Sequence, residues 1–257
     1  MGWPPSTDRA RRSWKLFGIP IHIEASWLFI VAFLTWSLAC DYFPSVVQGL
    51  SVGMYWAMGA ASALLLYGCI LLHELGHSFV ARGQGMPVAC ITLFLFGGVA
   101  QVAGEAKRPS ADLAVAVAGP LVSLLIAAGC FAIAPRLPMH TTLEVASVAV
   151  VHYLALINTG ILFFNLLPGF PLDGGRIARA ALWAWTGSLP QATRVASAIG
   201  LLLGLGFMGL GGWAILHGAR ISGLWYLLIG WFLRGAAQQS FYAAQLMERH
   251  EAVAILG

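Results

Sequence analysis

The chain has 257 residues, 59% of them hydrophobic and 9% charged, with a formal net charge of +4 and a mean hydropathy of +0.81. Soluble domains carry about 25% charged residues, so this composition excludes that class and defines an integral membrane protein. The basic residues are spread between apolar runs and form no continuous patch, which argues against nucleic acid as a partner. Cys40, Cys69, Cys90 and Cys130 show no short paired spacing and three lie in apolar stretches. They read as small apolar residues, neither a disulfide framework nor a metal site.

In chain order, residues 1–18 are polar and basic, with Arg9, Arg11, Arg12 and Lys15. They read as a cytosolic flank, because the apolar run after Arg11-Arg12 is long for an export signal and lacks a convincing cleavage site. Span 1 is expected over about residues 21–43, with a structural His22 and Glu24 near its cytosolic end. A short external loop containing Pro44 follows. Span 2, about residues 51–82, exceeds the ~20 residues a bilayer core needs, so it tilts or protrudes into the cytosol.

Inside span 2 stands His73-Glu74-Leu75-Gly76-His77. Two histidines four apart on a helix differ by about 40° in direction and about 6 Å in height, so both imidazoles face one point. A single zinc ion fits there. Glu74, beside the first histidine, is placed to take a proton from a water that the metal activates.

Residues 86–103 are apolar, but Pro87, Gly97-Gly98 and Gln101 argue against a span. Aromatic-rich alternating arms predict a β-hairpin centred on the two glycines. Such backbone is tolerated at membrane depth only when buried in protein or lining a cavity, so a re-entrant hairpin beside the active-site helices is expected. Its strand edge would offer pairing to an unwound substrate, with Phe94, Phe96, Gly97, Gly98, Val99 and Gln101 as substrate-binding candidates. A substrate-free interfacial loop is the alternative.

Residues 105–112 read as a charged, solvated loop, with Ser110 as a helix cap. Span 3 is expected at about 113–133, interrupted by Gly119-Pro120, and span 4 at about 149–167. Span 4 runs into Pro168-Gly169-Phe170-Pro171-Leu172-Asp173-Gly174-Gly175-Arg176, where the helix must break. A cytosolic loop with Arg176, Arg179 and Arg194 leads to span 5, about 196–216, whose glycines allow close helix packing. Span 6 is expected at about 221–241, with Arg234 snorkelling to the interface, and residues 243–257 form a short amphipathic tail. The fold expected is an all-α polytopic membrane protein, one domain with six transmembrane helices and a re-entrant hairpin between spans 2 and 3. With the amino terminus inside, twelve of the 14 Lys and Arg residues are cytosolic and only Arg136 and Arg220 external. That asymmetry supports the topology.

A hydrolytic zinc takes three protein ligands, so His73 and His77 need a partner. Glu105 and Asp112 lie in the loop, Glu24 at an interface, and Asp41 and Glu144 on the opposite side. Asp173 shares the membrane level of the motif and is flanked by residues that free its backbone, which makes it the preferred third ligand. A helix cap or an ion pair with Arg176 is its alternative role. Asn165 needs a polar partner in its apolar run, either broken backbone or an oxyanion.

The His73–His77 motif on the second span, together with Asn165–Arg176 after the fourth, resembles the site-2 protease family of intramembrane zinc metalloproteases. The resemblance covers essentially the whole chain, including the hairpin and Ala118-Gly119-Pro120. It implies that His73, His77 and Asp173 bind one zinc, that Glu74 is the general base and that Asn165 helps hold the tetrahedral intermediate. It also implies a hairpin over about residues 86–103 that guides the substrate. The closest branch often carries paired cystathionine-β-synthase domains after the sixth span, and this sequence contains none.

The expected activity is hydrolysis of a peptide bond in or near the transmembrane segment of a membrane-anchored protein, such as an anti-sigma factor or transcription regulator. The expected setting is a prokaryotic cell membrane, with the lipid bilayer and a single-span substrate as partners, no nucleic acid, and a homodimer as the assembly. Two rivals stand beside it: a membrane zinc hydrolase acting on non-membrane peptides, and a catalytically silent regulator that keeps its metal for stability. A transporter is disfavoured, since no inverted repeat is visible.

Overall fold

Strand and helix are separated in this apolar chain by period, with alternating residues where a sheet forms and long unbroken apolar runs where helices do. The computed structural model describes residues 14–256, so Arg9, Arg11 and Arg12 lie outside the described residues. The chain divides into two units, one of the described residues up to Glu105 together with Ala132–Leu154, the other of Ala106–Phe131 together with the residues from Ala155 onward.

The first unit opens with β1 (Trp14–Leu16) and β2 (Ile19–Ile23), then α1 (Ala25–Ser37), a π-helical turn (Leu38–Tyr42), α2 (Phe43–Val46) and α3 (Val52–Gly83). The strands β3 (Val88–Phe94) and β4 (Gly97–Val102) follow. The hairpin forms as the alternation predicts, but it belongs to a four-stranded sheet ordered β1-β2-β3-β4. β2 pairs with β3 in parallel, and the two outer pairs are antiparallel. The first expected span is corrected accordingly: residues 21–23 are strand, and the helix starts at Ala25. Ile19, Ile21 and Ile23 alternate with Pro20 and His22, a period-two signature that merges by composition with the helix behind it. Ile19 and Ile91 are fully buried on this sheet.

Two further expectations change. The hairpin turn is Leu95-Phe96, and Gly97, at φ +133°, opens the second strand. The loop expected around Pro44 is helical, with the proline in the first turn of α2, where its missing N–H is no loss. Phe43 is fully buried there, edge-on to Tyr42 at 5.2 Å and 6.1 Å from Tyr153. α3 is capped by Ser51, whose side chain accepts from Met54 N, and its 32 residues extend about 48 Å, well beyond a bilayer core of about 30 Å.

The second unit carries most of α4 (Pro109–Ile133), the end of α5 (Thr142–Asn165), then α6 (Asp173–Thr186), α7 (Leu189–Leu216) and α8 (Arg220–Leu256). Because α4 starts at Pro109, Ser110 lies within the helix and Asp112 is a fully buried residue of its first turn; neither belongs to a solvated loop. The segment expected as a cytosolic loop after Arg176 is mostly α6, and the sixth span and tail are one continuous helix. In α7 and α8, Gly204 faces Gly230 and Gly211 faces Gly223: a methyl on any of them would fall within 3 Å of the opposite backbone. The close packing expected of span 5 is therefore real at those positions, while Gly206, Gly209 and Gly212 have open space beside them.

Among the described residues, five segments are long and apolar enough to cross a bilayer: Ala25–Val46, Val52–Gly83, Pro109–Arg136, Thr142–Asn165 and Leu189–Leu216. They correspond to expected spans 1 to 5. The sixth expected span falls inside α8.

Candidate metal centre and active site

His73 and His77 lie on successive turns of α3, each 5% exposed, with their Nε2 atoms 3.2 Å apart and their rings at 78° to each other. Two nitrogens bound to one tetrahedral zinc at about 2.0–2.1 Å would stand about 3.3 Å apart. The pair fits a shared zinc ion without rearrangement.

Glu74 is half-buried on the neighbouring face of α3, and its Oε2 accepts a hydrogen bond from Ala100 N of β4 at 3.0 Å. The same face carries Ile70 and Tyr67, one and two turns earlier. Tyr67 donates its hydroxyl to the carbonyls of Phe94 and Leu95 at 3.0 and 3.3 Å, and the N–H of Leu95 bonds Ser26 Oγ at 3.2 Å. The N–H of Glu24 bonds the carbonyl of Leu93. The hairpin turn is thus pinned from both α1 and α3, and β4 is laid along the helix face that carries the motif's glutamate.

Of the hairpin residues read from the sequence, Gly97 and Gly98 are half-buried, Phe94 and Phe96 are half-buried with their rings 6.2 Å apart, and Val99 and Gln101 are exposed. Gly98 stands directly against Glu74. Sequence reasoning missed Ala100, because a backbone donor leaves no trace in residue type. It also missed Tyr67, whose hydroxyl within an apolar run called for a partner.

In the second unit, Asn165 is the last residue of α5 and Asp173 the first of α6, both half-buried. The segment between them turns tightly. A side chain on Gly174 would collide with the carbonyls of Leu166 and Leu167, one on Gly175 with the Gly169–Phe170 backbone, and one on Gly200 of α7 with the carbonyl of Phe170. Phe170 N also bonds the carbonyl of Ala196 at 3.2 Å. The Pro-Gly-Phe-Pro-Leu-Asp-Gly-Gly sequence is therefore a close-packed turn that only glycine permits at those points.

Three residues beyond Asp173, Arg176 meets another carboxylate, not the Asp173 of the alternative ion-pair reading. Its Nη2 donates to Asp112 Oδ1 at 3.2 Å, while Arg179 donates to both oxygens of Asp112 at 2.7 and 2.8 Å. Arg179 also lies over the Phe170 ring, 5.2 Å from its centroid. One buried carboxylate between two guanidinium groups fastens α6 to α4.

A histidine pair shaped for a metal, carried on a helix long and apolar enough to cross a bilayer with a carboxylate beside it, defines the class: a polytopic membrane protein of the metallohydrolase type. The sequence pattern of Peptidase family M50 matches residues 61–144 and 133–207. The chain is 40% identical over 240 residues to "Putative zinc metalloprotease sll0528" of Synechocystis, covering 93% of this chain and 61% of that one. It is also 40% identical over 226 residues to "Putative zinc metalloprotease Rip3" of Mycobacterium tuberculosis, covering 88% and 57%. The solved "Site-2 Protease from Methanocaldococcus jannaschii" is 26% identical, with a TM-score of 0.60 over 89% of this chain and 93% of that one. This chain belongs to Peptidase family M50. It spans about six tenths of the length of the curated relatives it matches.

Proposed function

We propose that the protein is an intramembrane zinc metalloprotease that hydrolyses a peptide bond in or near the transmembrane segment of a membrane-anchored regulatory protein. The observation that carries this reading is the His73/His77 pair, whose 3.2 Å nitrogen separation suits one zinc, with Glu74 alongside on a bilayer-length helix. Asp173 is the proposed third ligand. It is supported by its place in the Asn165–Arg176 sequence, by the tight turn that fixes the start of α6, and by family membership.

Zinc, when bound, supplies a Lewis acid that polarises the scissile carbonyl and brings the pKa of water to about 7. Glu74 takes the proton of the attacking water and passes it to the leaving amine. Asn165 donates to the developing oxyanion. A helical substrate has its carbonyls engaged in backbone hydrogen bonds, so it must unwind before it can be cut, and the outer edge of β4 offers replacement bonds. Water reaches the site from the cytosolic side. The protein sits in a prokaryotic cell membrane with its amino terminus inside, and its substrate is a single-span protein such as an anti-sigma factor or a membrane-bound transcription regulator.

The test is metal content and cleavage measured together. His73→Ala, His77→Ala and Asp173→Ala are each expected to lose bound zinc and cleavage of single-span reporters in parallel. An Asp173→Ala protein that keeps stoichiometric zinc of undiminished affinity contradicts the ligand set.

A further inference from the structure

β4 ends the sheet, so one side of its backbone has no partner strand among the described residues. Along an antiparallel strand, N–H groups alternate between the partner and the open side. The N–H of Ala103 turns inward to the carbonyl of Pro87 at 2.7 Å, whereas that of Ala100 turns away from β3 to Glu74. Gly98, Ala100 and Val102 therefore present the outward donors, with Ala100 in the middle. That central donor already holds the carboxylate of the proposed general base. Gly98 makes the approach feasible: a methyl there would lie 2.7 Å from Glu74 Cγ, 3.4 Å from its Cδ and 3.2 Å from Ile70 Cγ2. Any side chain at 98 would push Glu74 off the strand.

Resting on the proteolytic reading, we propose that the Ala100 N–H is shared between the base and the substrate. It holds Glu74 while the site is empty and passes to a substrate carbonyl when an unwound strand adds to β4. Glu74 is thereby released to act on water only once a peptide is aligned beside it. One hydrogen bond is broken and one formed, and no covalent bond changes. Gly98 is a positioning residue in this scheme, acting through Glu74. A bond to an ionised acceptor is stronger than one to a neutral carbonyl, so the held carboxylate opposes strand addition, and a segment that makes the flanking bonds at Gly98 and Val102 is favoured over one that does not.

The test uses the full chain, zinc-loaded, in lipid nanodiscs. Residue-resolved amide hydrogen exchange is compared between the unaltered protein and Glu74→Ala at equal zinc content. Exchange at Ala100 is expected to accelerate about tenfold in the variant, since its acceptor is gone, with Val99 and Gln101 unchanged. An unchanged rate at Ala100 overturns the proposal. Binding of a labelled single-span reporter is then compared between two variants that both lack the base, Glu74→Ala and Glu74→Gln. Glu74→Ala is expected to bind roughly fivefold more tightly, because glutamine still occupies the N–H; equal or weaker binding overturns the exchange. Gly98→Ala should lower kcat and lower KM together, a split that a merely misfolded hairpin would not give, and a raised KM counts against the scheme. If the unaltered protein cuts no reporter, the proteolytic reading fails, and the rate at Ala100 reports separately on whether the carboxylate is held.

Discussion

Asp112 shows how far a single carboxylate can be drawn into a membrane protein when it is fully engaged. Its side chain is 1% exposed, against 25% for Arg176 and 15% for Arg179. Removing the carboxylate leaves two partly buried cations with no counter-charge, a loss of about 3 kcal/mol once the exposure of the arginines is discounted. Asp112→Ala should therefore lower the unfolding midpoint in detergent markedly. Arg176→Ala should lower it less, because the bidentate pair with Arg179 survives; the reverse order would contradict this account. Asp112 was not legible in the sequence, since its partners lie 64 and 67 residues away. Directly before an apolar run and after Lys107-Arg108, it resembled a solvated loop position. His73, Glu74 and His77 were legible because their geometry is local to one helix, and the four-residue spacing alone aims both imidazoles.

Elements whose packing depends on missing side chains give the sharpest tests at the next scale. Gly200 lies under the carbonyl of Phe170, whereas Gly206 on the same helix has open space beside it. Gly200→Ala is expected to cost about 1–3 kcal/mol through overpacking. Gly206→Ala should be neutral or stabilising by about 0.5–1 kcal/mol, since alanine favours helix. Equal effects in a denaturation series would show that the turn before Asp173 does not rest on α7. Helices α3, α4, α5 and α7 were readable as long apolar runs. α6 was not, because Gly174-Gly175 and three arginines suggested a loop, whereas both glycines are helical and pack against the backbone of the preceding turn. β1 and β2 were hidden for a related reason: an apolar strand leading into an apolar helix has no compositional boundary, only a change of period at Glu24.

Across the whole molecule, the bias of basic residues predicts an orientation that labelling can test. Single cysteines placed at Lys107 and at His140, in a protein whose four native cysteines are replaced, should react with an impermeant thiol reagent from opposite faces. Lys107 is expected on the cytosolic side; labelling of both from one face would contradict the topology. The apolar composition and two separated motifs were enough to read the family and its membrane character from the sequence. The sheet that lays β4 along the motif's helix came from pairings between residues about 70 apart, such as Ile21 with Ile91, which no local pattern encodes. The most direct measurement is mass-spectrometric mapping of cuts in a panel of single-span reporters by the purified protein and its Glu74→Gln variant, with zinc quantified in both. The account predicts cuts within or beside the spans by the unaltered protein, and a loss of about 10²-fold or more in Glu74→Gln at equal zinc. Undiminished cleavage by Glu74→Gln would contradict it.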